Sequence, residues 1–184
     1  MSNNKNIATN SLAYTGIVTL SQYKGNKKLK LIQIHNSGKN PLFTFLSDCL
    51  AGNFDTAKLN MPNKIKLLCK SEKDSIITFD SCSIGYTSLF SIPEKDASAT
   101  GSSAVIYSFV IPYDQITDTF NCIALYTANP KGIEDFAAIC DTGDEVSLNN
   151  LPLNSSLVID WKLIISNAAS SPEITEGTIV EVNI

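Results

Sequence analysis

Residues 157–166, Leu-Val-Ile-Asp-Trp-Lys-Leu-Ile-Ile-Ser, alternate strictly. Leu157, Ile159, Trp161, Leu163 and Ile165 fall on one side of an extended chain, while Val158, Asp160, Lys162 and Ile164 fall on the other. A period of two with β-branched residues on both sides is the signature of a strand whose odd-numbered face belongs to a core. The sole tryptophan reads as a core aromatic, not as an exposed platform for a sugar ring. Downstream, residues 167–172 (NAASSP) make a short linker. Val180, Val182 and Ile184 then alternate with Glu181 and Asn183 in a last strand. That strand can join its own sheet or the edge of a neighbouring molecule, and both readings stay open.

Upstream of Leu157 the same signal recurs. Residues 64–68, 76–79, 83–92, 104–111, 122–127 and 136–140 read as further strands, with a small polar loop at 97–103 (ASATGSS). Near the start, Leu12 to Tyr23 alternates Tyr14, Gly16, Val18 and Leu20 with Ala13, Thr15, Ile17 and Thr19. Lys24-Gly25-Asn26-Lys27 supplies hairpin turn chemistry, and Lys28 to His35 returns with its lysines expected to face water. Many short strands with little helix predict an all-β chain, an antiparallel β-sandwich or jelly-roll-like fold. One short helix is expected at about residues 41–51. Asn40 caps it, Pro41 opens it, Leu42, Phe45, Leu46 and Cys49 form its apolar stripe with Phe43 and Leu50 flanking, and Gly52 ends it. The expected organisation is a polar arm at 1–11, a sandwich domain at 12–167, and a linker with a C-terminal strand at 168–184.

The residue inventory narrows the chemistry. All 14 basic residues are lysine and His35 is the only histidine, so guanidinium recognition is absent and acid–base or metal chemistry has few candidates. Cysteines 49, 69, 82, 122 and 140 sit beside apolar residues with no Cys-x-x-Cys pair, as expected of buried thiols and not of a disulfide framework, a zinc site or a nucleophile. Carboxylates cluster at Asp114 and Asp118, at Glu134 and Asp135, and at Asp141, Asp144 and Glu145. The last group lacks the spacing of a calcium loop and reads as a solvated acidic turn. No catalytic motif is found, and the expectation is a non-enzyme with no catalytic, metal or cofactor-binding residue and no cofactor.

At 43% hydrophobic and 17% charged the chain is too apolar to be disordered. Its polar first ten residues and short apolar runs lead us to expect neither an export signal nor a membrane partner. Lys24, Lys27, Lys28 and Lys30 form a basic cluster with few aromatics in an acidic chain, a weak basis for nucleic-acid binding. Charge is also divided along the sequence. Residues 1–73 hold eleven lysines against three acids, and residues 74–184 hold three lysines against fifteen acids. Opposite faces of one domain would steer copies head to tail, whereas strand pairing between the two parts would mix the charges on one surface. A separate carbohydrate-binding reading rests on Tyr86, Phe90, Tyr113 and Tyr126, and requires two of them coplanar on a shallow surface.

Four later stretches, AVIYSFVIPYDQI (104–116), NCIALYTAN (121–129), FAAICDTGDEVSLNN (136–150) and NSSLVIDWKLIISN (154–167), come in an order that resembles virion structural proteins of tailed bacteriophages. The segment 12–54 is similar to such proteins of crAss-like gut phages. The resemblance spans about residues 12–167 and carries no functional residue with it. It implies a sandwich module present in many copies in the virion, made in the cytoplasm of a bacterial host. Its expected partners are itself and capsid or tail subunits. A head-fibre or capsid-decoration role is expected first, with a tail or collar ring component as the alternative.

Overall fold

The computed structural model describes residues 12–24, 27–38, 40–82, 85–96, 102–116, 119–132, 135–142, 155–167 and 180–182, with 12–14, 27–38, 40–41, 102, 113, 166–167 and 180–182 described as backbone only. The elements, in chain order, are β1 (Leu12–Lys24), β2 (Lys27–Gly38), α1 (Asn40–Leu50), α2 (Phe54–Asn60), β3 (Pro62–Lys73), β4 (Ile76–Ser81), β5 (Thr87–Ser88), β6 (Glu94–Asp96), β7 (Ser102–Pro112), β8 (Cys122–Thr127), β9 (Ala138–Asp141), β10 (Ser155–Asn167) and β11 (Val180–Val182), with a 3-10 turn at Tyr113–Gln115. All pairings are antiparallel, in the order β4-β3-β8-β9-β2-β1-β10-β7-β6; β5 adds to β3 and β11 adds to β2. The fold is mainly β and sandwich-like, as the alternating pattern predicts.

Two sheets face each other across the core. One contains β2, β1, β10, β7 and β6, the other β9, β8, β3, β4 and β5. Both flanks of the sandwich are bridged. On one flank β2 pairs with β1 along most of its length, and its last residues Ser37 and Gly38 pair with Ile139 and Ala138 of β9. On the other flank the chain leaves β5 and crosses over: Leu89 N donates to Asn63 O at 3.0 Å, and Phe90 N donates to Ser108 O at 2.8 Å. Among the described residues, the sheet order ends at β4 on one side and β6 on the other.

Core residues are those the alternation selects. In register, Val18 (β1), Trp161 (β10) and Tyr107 (β7) lie side by side, as do Leu20, Ile159 and Phe109. All six are buried and belong to one cluster with Ile65 and Leu67 of β3, Ile123 and Leu125 of β8, and Ala138 and Cys140 of β9.

Four sequence expectations need correction. Two helices stand where one was expected, because α2 is only seven residues long, too short for a 3.6-residue period to register. Of the strand expected at 83–92, residues 83–84 lie outside the described residues, and among the described ones only Thr87–Ser88 is strand, since this stretch carries the chain between sheets. A further strand, β6, follows at Glu94–Asp96, where the charged residues Glu-Lys-Asp gave no strand signal. The apolar face of α1 is also narrower than expected. Leu42 is fully buried and Phe45 and Leu46 pack on the core, but Phe43 and Leu50 remain exposed. The C-terminus of α1 is closed as predicted. Gly52 adopts φ +76, its N–H reaches Cys49 O, and Asn53 N–H reaches Asp48 O at 2.9 Å, the paired bonds of a Schellman cap.

Strand β6 is tied down by charge. Asp96 forms an ion pair with Lys162 of β10, on the side of the sheet away from the core, with only 13% of the Asp96 side chain and 28% of Lys162 accessible. Removing one partner of a half-buried pair leaves the other desolvated without compensation. Asp96→Ala is expected to cost about 1–3 kcal/mol, read from the urea midpoint, while Lys95→Ala on the exposed neighbour should cost less than about 0.5 kcal/mol.

Candidate functional site: exposed assembly surfaces

The side chains that the fold fails to bury fall into three groups. On the helical pair, Phe43, Leu50 and Phe54 are exposed, with Leu50 80% and Phe54 70% accessible, and Leu59 is exposed on α2. Phe43 and Leu50 are seven residues apart, two turns along one side of α1, on the flank of the face that carries Leu42 into the core. On the crossing segment, Phe90 and Ile92 point outward. On β4, Ile76 and Ile77 are both exposed. Neighbouring residues of a strand point to opposite faces, so a doublet such as Ile76-Ile77 can lie outside on both sides only where the strand projects beyond the core. The projection is visible in burial: β3 is buried or half-buried as far as Lys70 and exposed at Ser71, Glu72 and Lys73, as is most of β4.

The base of this hairpin is fastened firmly. The Asn121 side chain stands in for a missing strand: its Oδ1 accepts from Lys70 N at 2.7 Å and its Nδ2 donates to Lys70 O at 2.9 Å. Beside it, Lys70 Nζ meets Asp141 at 2.6 Å, and that hydrogen bond raises the lysine above its ordinary pKa. Asp141, read from the sequence as part of an acidic turn, is therefore engaged by Lys70. Asp114 is exposed in the 3-10 turn, Asp135 is half-buried, and Asp118, Glu134, Asp144 and Glu145 lie outside the described residues.

Of the aromatic candidates, Tyr86 and Tyr126 meet edge to face and are not coplanar. Tyr126 is fully buried, on the outer side of the β3–β8 sheet, within a second small cluster of Leu68, Cys122 and Ala124. Tyr86 meets it edge-on, with centroids 4.9 Å apart at 77°, and Phe136 meets it at 6.2 Å and 90°. Lys66 Nζ covers the Tyr86 ring at 4.6 Å. These rings roof a cluster of apolar side chains, and Phe90 is exposed elsewhere; the side chain of Tyr113 lies outside the described residues.

Burial shapes the thiols. Desolvation first, then the Asp141 charge, pushes Cys122 up to about 12 against the relief from Lys70, and burial raises Cys140 further. Cys69 and Cys82 donate to the same carbonyl, Thr119 O, at 2.6 and 3.1 Å, and Cys49 is half-buried in α1. His35 sits in β2 opposite Ile17, its side chain outside the described residues. Of the basic cluster, Lys24 is exposed at the end of β1 opposite Lys27, and the side chains of Lys27, Lys28 and Lys30 are likewise not described.

Strand order shows how the two parts of the sequence are combined. The lysine-rich part supplies β1, β2 and β3, and each of these lies beside a strand from the other part of the chain: β3 beside β8, β2 beside β9 and β1 beside β10. The strands of the two halves are therefore interleaved, the arrangement in which strand pairing brings the two parts together on one surface. The last strand, β11, pairs with Leu31, Ile32 and Gln33 of β2 in its own chain. Among the described residues no helix is long and apolar enough to cross a membrane. Comparison with protein-family models, with curated proteins and with solved structures finds no match.

Proposed function

We propose that this chain is a non-enzymatic virion structural protein of a tailed bacteriophage, a multi-copy assembly component. Its place is the head exterior, as a head fibre or capsid decoration, with a tail or collar ring as the alternative position. The observation that carries the assembly reading is the set of large apolar side chains left outside a fully formed core, on the helical pair, the crossing segment and the projecting hairpin. Burying each such residue against a partner is worth about 1.5–3 kcal/mol, so a few of them at one contact hold two subunits together. The thiols support the non-enzymatic reading, because burial opposes the thiolate form at Cys122 and Cys140. The virion context rests on the resemblance of residues 12–167 to tailed-phage structural proteins. Gradient-purified particles of the phage that encodes this chain are expected to contain it at a fixed multi-copy ratio to the major capsid protein by quantitative mass spectrometry, with density located by electron cryo-microscopy. Particles lacking the chain would overturn the proposal.

A further inference from the structure

We propose that β4 is a self-association edge, at which two copies of this chain join antiparallel, β4 to β4, about a two-fold axis through Thr78. The inference deepens the multi-copy reading and rests on it. Strand β4 ends the sheet order and, among the described residues, pairs with β3 alone. The other end of the order, β6, is protected by Glu94 and Lys95. β4 has no such protection: its sequence Ile-Ile-Thr-Phe-Asp-Ser contains no lysine or proline and one charge, Asp80.

The ladder phase shows which groups are available. Cys82 N donates to Leu67 O, and antiparallel donors alternate, so the N–H and C=O groups of Ile76, Thr78 and Asp80 face β3. Those of Ile77 and Phe79 face the open edge. A two-fold axis perpendicular to the sheet requires same-parity partners. Centring it on Thr78 sets Ile77 opposite the second copy's Phe79, and Phe79 opposite the second copy's Ile77, closing four backbone hydrogen bonds and two apolar cross-strand pairs.

Charge selects this register over its neighbours. Lys73 is opposite Ile76 in the hairpin, and Ile76 would face the second copy's Asp80. Lysine and aspartate then share a row two strand spacings apart, about 9.5 Å between backbones, a span that a lysine stem and an aspartate side chain can close, and symmetry makes the pair twice. Both residues are exposed in the single chain. Moving the axis to Ile77 would set Asp74 against the second copy's Asp80. Moving it to Phe79 would set Ile77 against the second copy's Ser81. The turn at Asp74 and Ser75, with φ 52 and 64, is of the type that keeps hairpin strands twisted together, so the edge is presented as a formed strand.

Sedimentation velocity from micromolar to several hundred micromolar tests this on the full chain. Wild type is expected to show a concentration-dependent dimer, with slowed amide exchange at Ile77 and Phe79 as concentration rises. Thr78→Lys and Thr78→Glu each place like charges face to face at the axis and should weaken the dimer at least tenfold, while an equimolar mixture of the two should recover it. Asp80→Lys should weaken it too, and Lys73→Asp with Asp80→Lys should restore it. Thr78, Lys73 and Asp80 are exposed, and circular dichroism checks that each variant folds. A monomeric wild type, single variants that dimerise like wild type, or a mixture that fails to recover would overturn the edge. The virion proposal would fall only if purified particles lack the chain.

Discussion

Replacing Trp161 with alanine is expected to lower the unfolding free energy by about 3–5 kcal/mol. Trp161 has no accessible surface and is the largest fully buried side chain. It stands mid-strand in β10, with Val18 on one side and Tyr107 on the other, facing the opposite sheet. Truncation removes the ring and leaves a void walled by strands that are hydrogen-bonded on both sides, so the backbone cannot collapse to fill it. The lost transfer energy and the cavity term therefore add. Ile164→Ala, on the other face of the same strand, should cost about 1 kcal/mol or less, since that side chain is only half-buried. Urea unfolding followed by circular dichroism measures both. A Trp161→Ala loss close to the Ile164→Ala loss would show that the odd-numbered face of β10 is not the core face.

Alkaline pH is the second strong lever. Cys122 is pushed up to about 12 from an ordinary value of 9.0, and Tyr107 to about 12 from 10.0, with burial the leading cause for both. Burial also raises Cys140, Tyr126 and Tyr86. Each group is neutral when protonated. Between its unfolded and folded pKa the native state therefore keeps a proton that the unfolded chain has released, and stability falls as pH rises. The contribution is intact below about pH 9 and is lost progressively up to about pH 12. Cys122 alone accounts for roughly 4 kcal/mol over that window and Tyr107 for roughly 3 kcal/mol, amounts comparable with the whole stability of an ordinary domain. Urea midpoints should be level from pH 7 to 8.5 and drop steeply above 9, and Cys122→Ala should flatten the early part of the drop. Constant midpoints up to pH 11 would contradict the burial of these groups.

Much of the fold was legible because strand alternation and helical periodicity are local. Of the odd-numbered residues 157–165 that the period places on the core face, Leu157, Ile159, Trp161 and Leu163 are buried and Ile165 is half-buried; Val18 and Leu20, on one side of the alternating first strand, are buried too. Leu42 and the Gly52 stop were read from spacing and from the one residue type suited to a left-handed turn. What escaped was short or held from outside. Strand β6 is Glu-Lys-Asp, residues with little preference for a sheet, and exists because Ala104 to Ile106 and Lys162 hold it in place. Leu89 and Ile92 suggested a strand through residues 83–92, yet Leu89 bonds to one sheet and Phe90 to the other, and hydrophobicity carries no record of which sheet a residue joins.

The assembly surfaces were half legible. Phe43 and Leu50 stood at the flanks of the helical stripe, and the Ile76-Ile77 doublet could not have had both side chains on one face of a strand. Whether such residues end up covered depends on partners far away in sequence. The charge division shows the limit most clearly: eleven lysines crowd the first 73 residues, but β1, β2 and β3 come to lie beside strands from the rest of the chain.

By itself, then, the chain order of residues determined which side of each long strand is apolar, where α1 stops, and how little acid–base chemistry the molecule carries, since each follows from residue type and near neighbours. Tertiary structure alone decided the strand order, the bridging of both flanks, the interleaving of the two parts of the sequence and, among the described residues, the place of β4 at the end of the order. Pairing is a choice among distant segments with similar local preference, and it is made by the total burial they reach together, a quantity that no short window of sequence contains.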